Sequence, residues 1–133
     1  MGEEKNEGWG GVVLKRILIV DDAAFVRVVL KKTLEKMGYE VVGEAEDGES
    51  ALQKYKELRP DCVTLDIIMP VMDGMEILKE LLEIDPQVKV IMISAMGNDH
   101  HINEAMKNGA AYFVVKPVKE ELLAEALLKT IGV

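Results

Sequence analysis

The chain has 133 residues and is 49% apolar, which is enough for one domain with a hydrophobic core of its own. Sixteen Lys and Arg against 24 Asp and Glu give a formal net charge of −8. This balance argues against direct binding to nucleic acid or to an anionic membrane, because both depend on clustered basic residues. The single cysteine excludes an internal disulfide. With no signal peptide and no apolar run of roughly 20 residues, we expect a cytoplasmic protein.

Residues 1–14 differ from the rest of the chain. They are rich in glycine and charged residues and show neither helical nor strand periodicity. We predict a flexible leader over 1–14, either native sequence or a cloning remnant, and one folded domain over 15–133.

The folded part opens with a strand, a helix and a second strand. Arg16–Val20 is a β-branched apolar run that ends at Asp21. The next segment carries apolar residues at helical spacing and then a glycine suited to a helix end. These residues are Phe25, Val28, Val29, Leu30, Leu34, Met37 and Gly38. Tyr39–Ala45 then predicts the second strand.

A second helix begins near Asp47-Gly48 and is stopped by Pro60. Cys62–Leu65 predicts a third strand, which ends at Asp66. Asp73 is a suitable N-cap for the third helix, with a glutamate in capping-box position three residues later.

Val88–Ser94 predicts the fourth strand, and Asn98 or Asp99 is expected to cap the helix after it. Phe113–Val115 is a short fifth strand, followed by a last helix that runs to Ile131. Five strands alternating with five helices indicate an α/β three-layer sandwich with a parallel sheet.

Ligands of such sheets bind beyond the carboxyl ends of the strands. The polar residues expected at that edge are Asp21, Asp22, Asp66, Ser94 and Lys116. Carboxylates gathered in one crevice repel one another, so a cation is expected among them. Oxygen ligands without His or Cys favour Mg²⁺, and a carboxylate beside Mg²⁺ can act as a nucleophile toward phosphorus. Capping of the first helix is the alternative role for the Asp21-Asp22 pair.

Four short motifs, in order, resemble the two-component response regulator receiver domain. They are ILIVDD at 17–22, Asp66-Ile67-Ile68-Met69-Pro70 followed by Met72-Asp73-Gly74, Ser94-Ala95, and Val115-Lys116-Pro117. The resemblance runs from about Arg16 to the C-terminus and is strongest to the single-domain chemotaxis type (CheY-like). It implies a flavodoxin-like (βα)5 fold with a five-stranded parallel sheet in the order 2-1-3-4-5.

The resemblance also implies roles for individual residues. Asp66 would accept a phosphoryl group from a sensor histidine kinase. The implied Mg²⁺ ligands are the side chains of Asp22 and Asp66, Asp21 mostly through water, and the backbone carbonyl of Ile68. Ser94 and Lys116 would contact phosphoryl oxygens, and Phe113 would be the aromatic switch residue. The Lys116–Pro117 peptide bond is expected to be cis.

The implied function is a phosphorylation-dependent switch that changes its affinity for a downstream protein at the face of the fourth helix, fifth strand and fifth helix. Such a protein is not an enzyme beyond its own phosphorylation and dephosphorylation. No direct nucleic-acid or membrane partner is expected, and the protein would be a monomer or a phosphorylation-dependent dimer. The alternative is an N-terminal receiver cut from a larger transcriptional or enzymatic response regulator.

Three other classes fit the residues less well. Dehalogenase-like phosphatases have Asp-x-Asp, whereas Ile68 stands where the second acid belongs. An FMN site needs neutral donors where Asp21 and Asp22 lie. An interaction module without phosphorylation would not need the acidic, hydroxyl and ammonium groups together.

We also expect the apolar Ile68 and Met96 to shield the phosphoryl group from water and to slow dephosphorylation.

Overall fold

The computed structural model describes residues 13–69, 71–95 and 97–132. The strands are β1 (Arg16–Val20), β2 (Glu40–Ala45), β3 (Cys62–Asp66), β4 (Val90–Ser94) and β5 (Tyr112–Val115). The helices are α1 (Ala24–Lys36), α2 (Gly48–Leu58), α3 (Gly74–Ile84), α4 (Asp99–Lys107) and α5 (Glu120–Ile131). Strand and helix alternate along the chain as predicted. Most of the predicted leader, residues 1–12, lies outside the described residues, so the boundary at residue 15 stays a prediction.

The strands form one parallel sheet in the order β2-β1-β3-β4-β5. This confirms the predicted flavodoxin-like fold and its strand order. Every residue of β3 and β4 is buried, because helices cover both faces of the sheet. Within the described part of the chain, no helix is both long and apolar enough to span a membrane.

The two faces of the sheet bury separate apolar clusters, and β1 contributes to both. Leu18 and Val20 point into the cluster that contains α2 and α3 residues, whereas Ile17 and Ile19 join the cluster of α1 and α5. This alternation follows from the two-residue period of a strand. Cys62 belongs to the second cluster, and burial raises the pKa of its thiol to about 12. The thiol is therefore a packing group.

Side-chain caps fix three helix starts. Asp47 accepts from the Ser50 N–H at 2.8 Å, and Asp73 accepts from the Glu76 N–H at 3.0 Å. The residue that caps α4 is Asn98, not Asp99. Helix α1 starts after Ala23, so neither acid of the Asp21-Asp22 pair is its N-cap.

The apolar residues of α1 are only partly covered. Leu30 and Leu34 are buried, but Phe25 is 78% exposed, and Val28 and Val29 are each 47% exposed. Helical spacing identified the helix correctly, yet it did not tell which of these residues the sheet covers. Phe25 and Val29 instead line a groove of about 240 Å³, whose other wall is residues 116–118.

Val71, in the loop between β3 and α3, has a backbone φ of +69°. A β-branched side chain is strained in this left-handed region, at a cost of about 1–3 kcal/mol. Its side chain is fully exposed and does not compensate by packing.

We therefore expect Val71→Asn to raise the free energy of unfolding by about 1 kcal/mol, since Asn tolerates the left-handed region. Urea denaturation followed by circular dichroism measures the change. Val71→Ile is the matched control, because it keeps the branched Cβ and should give no gain. Equal stability of Val71→Asn and the wild type would contradict the strain.

Candidate functional site

Three carboxylates converge at the carboxyl edge of the sheet. Asp21 follows the end of β1, and Asp66 is the last residue of β3. One carboxylate oxygen each of Asp21, Asp22 and Asp66 lies within 4.8 Å of the others. Asp21 and Asp66 are only 3% and 6% exposed, whereas Asp22 is open to solvent. The predicted acidic cluster is thus formed by the fold, with two buried members and one accessible one.

Local hydrogen bonds hold Asp21 at the start of α1. Its Oδ1 accepts from the Ala23 N–H at 2.9 Å, which is the geometry of an Asx turn. Its backbone N–H donates to the Ala45 carbonyl at 3.0 Å, so the end of β1 is joined to the end of β2. Asp21 is therefore a fixed corner of the pocket.

The backbone after Asp66 is held by a close approach of α3. The Gly74 N–H donates to the Ile67 carbonyl at 2.7 Å. A Cβ on Gly74 would collide with the backbone carbonyl of Asp66, so only glycine fits there. The Ile68 side chain, two residues past Asp66, is 58% exposed beside this loop.

Lys116 brings the compensating charge from the loop after β5. Its Nζ lies 2.9 Å from Asp21 Oδ2 and 3.5 Å from Asp66 Oδ2. The backbone N–H of Lys116 donates to the Ser94 carbonyl at 2.9 Å, and the Lys116–Pro117 peptide bond is cis. The ammonium is thereby held between two acids that come from different strands.

The ionisation of the buried groups reflects this crowding. Burial and the neighbouring Asp21 charge raise the pKa of Asp66, although Lys116 and a backbone hydrogen bond from Ile68 oppose the increase. Burial alone would lower the pKa of Lys116, but its hydrogen bond to Asp21 and the charge of Asp66 raise it. Lys116 therefore stays charged, while Asp66 ionises less readily than a solvated aspartate.

Ser94 and Phe113 lie on the two strands β4 and β5, which pair with each other in the sheet. Ser94 is fully buried at the end of β4 and pairs with Val115 of β5. Phe113 pairs with Met92 and packs, half-buried, against the larger apolar cluster. Met96 lies outside the described residues, so its shielding role beside Ile68 stays a prediction.

The donor set fits a hard divalent cation. All three side chains offer carboxylate oxygens, and one of them is accessible from solvent. Among the described residues of the pocket, the Lys116 ammonium balances only one of the three carboxylate charges. A bound Mg²⁺ would offset both the burial and the Asp21 repulsion that raise the pKa of Asp66.

Sequence reasoning missed two polar residues at the margin of this pocket, Arg27 and Glu44. The Arg27 Nε lies 3.1 Å from Glu44 Oε1, and another guanidinium N–H donates to the Asp21 carbonyl at 2.6 Å. The only signal in the sequence was a cation near the start of a helix, where the helix dipole favours acids.

Comparison with known proteins gives consistent results. Residues 17–128 match the family model of the response regulator receiver domain. The chain is 54% identical over 115 residues to the chemotaxis protein CheY of Thermotoga maritima, an alignment covering 86% of this chain and 96% of that protein. It is 53% identical over 117 residues to CheY of Bacillus subtilis, covering 88% and 98% respectively.

A solved structure with a similar fold is the CheX-CheY-BeF3-Mg²⁺ complex from Borrelia burgdorferi. The superposition has a TM-score of 0.86 and 35% sequence identity, and it covers 93% of each chain.

The burial of Asp66 and its crowding by Asp21 predict that Asp66→Asn stabilises the metal-free protein at pH 7. A carboxyl whose pKa is raised by folding favours the folded state most when it is protonated, and this contribution is lost as the pH rises through the folded pKa. In EDTA at pH 7, Asp66→Asn should therefore unfold at a higher temperature than the wild type. The difference should shrink as the pH falls toward the ordinary value of 3.8.

Differential scanning calorimetry at several pH values measures this effect. Glu57→Gln is the control, because it removes an exposed carboxylate on α2 and should change little. A lower unfolding temperature for Asp66→Asn than for the wild type at pH 7 would contradict the crowding.

Proposed function

The chain belongs to the response regulator receiver domain family of two-component signalling, and we propose that Asp66 is its phosphoacceptor. The observation that carries this proposal is the buried Asp66 carboxylate, held beside two further acids and 3.5 Å from the Lys116 ammonium. The similarity to CheY proteins over nearly their whole length favours a chemotaxis-type switch. The alternative remains a receiver of a larger regulator.

The proposed reaction is transfer of a phosphoryl group from a phosphohistidine of a sensor kinase. A carboxylate oxygen of Asp66 attacks phosphorus, the new O–P bond forms, and the P–N bond to the kinase imidazole breaks. The phosphoryl group carries more negative charge than the carboxylate that it replaces, so the product depends on the Lys116 ammonium and on a bound cation for its stability. Hydrolysis of the resulting acyl phosphate by water would return Asp66 to its free form.

Mg²⁺ is the cofactor in this proposal, since receiver domains bind it at an acidic pocket. We assign it to the side chains of Asp22 and Asp66, to Asp21 mostly through water, and to the backbone carbonyl of Ile68. When bound, it would neutralise charge on the phosphoryl oxygens. Asp22 is the exposed member of the cluster and is therefore the group that an incoming cation meets first.

Lys116 and Ser94 act on the phosphoryl group in this scheme. Lys116 already contacts Asp66, so its ammonium can pair with a phosphoryl oxygen after a small displacement. Ser94 would donate its hydroxyl to a second oxygen. The backbone N–H of Lys116 donates a hydrogen bond to the Ser94 carbonyl, which joins the loop after β5 to the end of β4. A shift of one residue is therefore transmitted to the other.

Phe113 links this shift to a partner surface. It lies three residues before Lys116 on β5 and is half-buried, so it can move inward as Ser94 approaches the phosphoryl group. The face of α4, β5 and α5 carries exposed apolar side chains, among them Met106, Val115 and Leu122. We propose that a downstream protein binds there with an affinity set by phosphorylation. The Borrelia CheY, solved in complex with CheX, is a similar protein that binds another protein.

Incubation with acetyl phosphate and Mg²⁺, read by intact mass, tests the phosphoacceptor. We expect the wild type to gain one phosphoryl group and Asp66→Asn to gain none. Asp61→Asn, at the opposite end of β3, is the matched control and should be phosphorylated like the wild type. Phosphorylation of Asp66→Asn at the wild-type level would contradict the assignment of Asp66 as phosphoacceptor. A wild type that no phosphoryl donor phosphorylates would contradict the proposed switch.

A further inference from the structure

Arg27 occupies an unfavourable place for a cation. It lies near the N-terminus of α1, where the helix dipole is positive, and its side chain is only 17% exposed. Two contacts compensate: the ion pair with Glu44 at 3.1 Å and the hydrogen bond to the Asp21 carbonyl at 2.6 Å. The second of these contacts points to a role beyond helix stability.

The carbonyl of Asp21 and the N–H of Asp22 belong to one planar peptide group. A donor that holds this carbonyl therefore restrains the plane of the peptide group. The peptide plane in turn sets the direction in which the Asp22 side chain extends. The remaining polar atoms of Asp21 are held by Ala23, Ala45 and Lys116. Rotation of the Asp21–Asp22 peptide would break the hydrogen bond between the Asp21 carbonyl and the Arg27 guanidinium.

Glu44 holds the other side of the guanidinium. It lies near the end of β2, and its backbone carbonyl accepts a hydrogen bond from the Lys54 ammonium of α2. The chain of contacts from Lys54 through Glu44 to Arg27 thus ends at the Asp21 carbonyl. The planar fork of an arginine can bind a carboxylate and a carbonyl together, whereas a lysine offers a single charged centre.

We propose that Arg27 is a positioning residue for the acidic pocket: its bridge from Glu44 to the Asp21 carbonyl orients the Asp21–Asp22 peptide, and through it the Asp22 carboxylate, toward a divalent cation. The inference rests on the proposed function only in requiring that this pocket bind the cation. It does not require that phosphoryl transfer occur.

The test is the affinity of the unphosphorylated protein for Mg²⁺, measured by isothermal titration calorimetry and, with Mn²⁺ as a probe, by electron paramagnetic resonance. Removal of a group that orients a metal ligand typically weakens metal binding by about 10–100-fold. We expect a loss of at least about tenfold for Arg27→Ala and a smaller loss for Arg27→Lys. Lys36→Ala is the matched control, because it breaks an exposed ion pair of α1 with Glu120 and should leave the affinity unchanged.

A double-mutant cycle separates positioning from general destabilisation. If Glu44 acts through Arg27, Glu44→Ala weakens cation binding in the wild type and has no further effect in Arg27→Ala. Glu44→Ala also serves if Arg27→Ala fails to fold, because a loss of affinity with an unchanged unfolding temperature still supports positioning.

Cation affinity within twofold of the wild type in both folded variants would overturn the inference. So would an affinity loss for Glu44→Ala that is fully additive with that for Arg27→Ala. A wild type that binds no cation would contradict the proposed function itself, and this inference with it.

Discussion

The carboxyl edge of the sheet is dominated by the repulsion between Asp21 and Asp66, two buried acids that share one ammonium. Lys116 contacts both, at 2.9 Å and 3.5 Å, but a single positive charge does not balance them and the nearby Asp22. Burial raises the pKa of Asp66, and the charge of Asp21 raises it further. The pocket is therefore best stabilised by a further cation, and any group added to Asp66 changes the position that Lys116 prefers.

The rest of the fold keeps this arrangement in place. A parallel sheet brings the ends of β1, β3 and β4 to one edge, and complete burial of β3 and β4 keeps their ends from moving independently. The close approach of Gly74 holds the backbone of Asp66, and the Asx turn holds Asp21. Strands thus position the two buried acids, while Lys116 comes from the loop after β5 and Phe113 is only half-buried.

Most strands and helices and the acidic pocket could be predicted from the sequence, because they depend on local patterns of residues. Apolar runs such as Val90–Ser94 indicate buried parallel strands, and the acids that follow such runs must meet at one edge. Other features depend on contacts between distant segments. The Arg27–Glu44 ion pair joins residues 17 apart, and the exposure of Phe25 depends on which neighbours cover α1. The left-handed backbone of Val71 could not be predicted from its residue type, which disfavours it.

In the proposed switch, occupancy of the acidic pocket is coupled to the face of α4, β5 and α5. Two-dimensional amide NMR of the protein with Mg²⁺, before and after addition of beryllofluoride as a phosphoryl mimic, tests it most directly. We expect beryllofluoride to shift the amide signals of Asp66, Ser94 and Lys116 together with those of Phe113 and the exposed α4–β5–α5 residues. Shifts confined to the loop after β3, with Phe113 and that face unchanged, would contradict it.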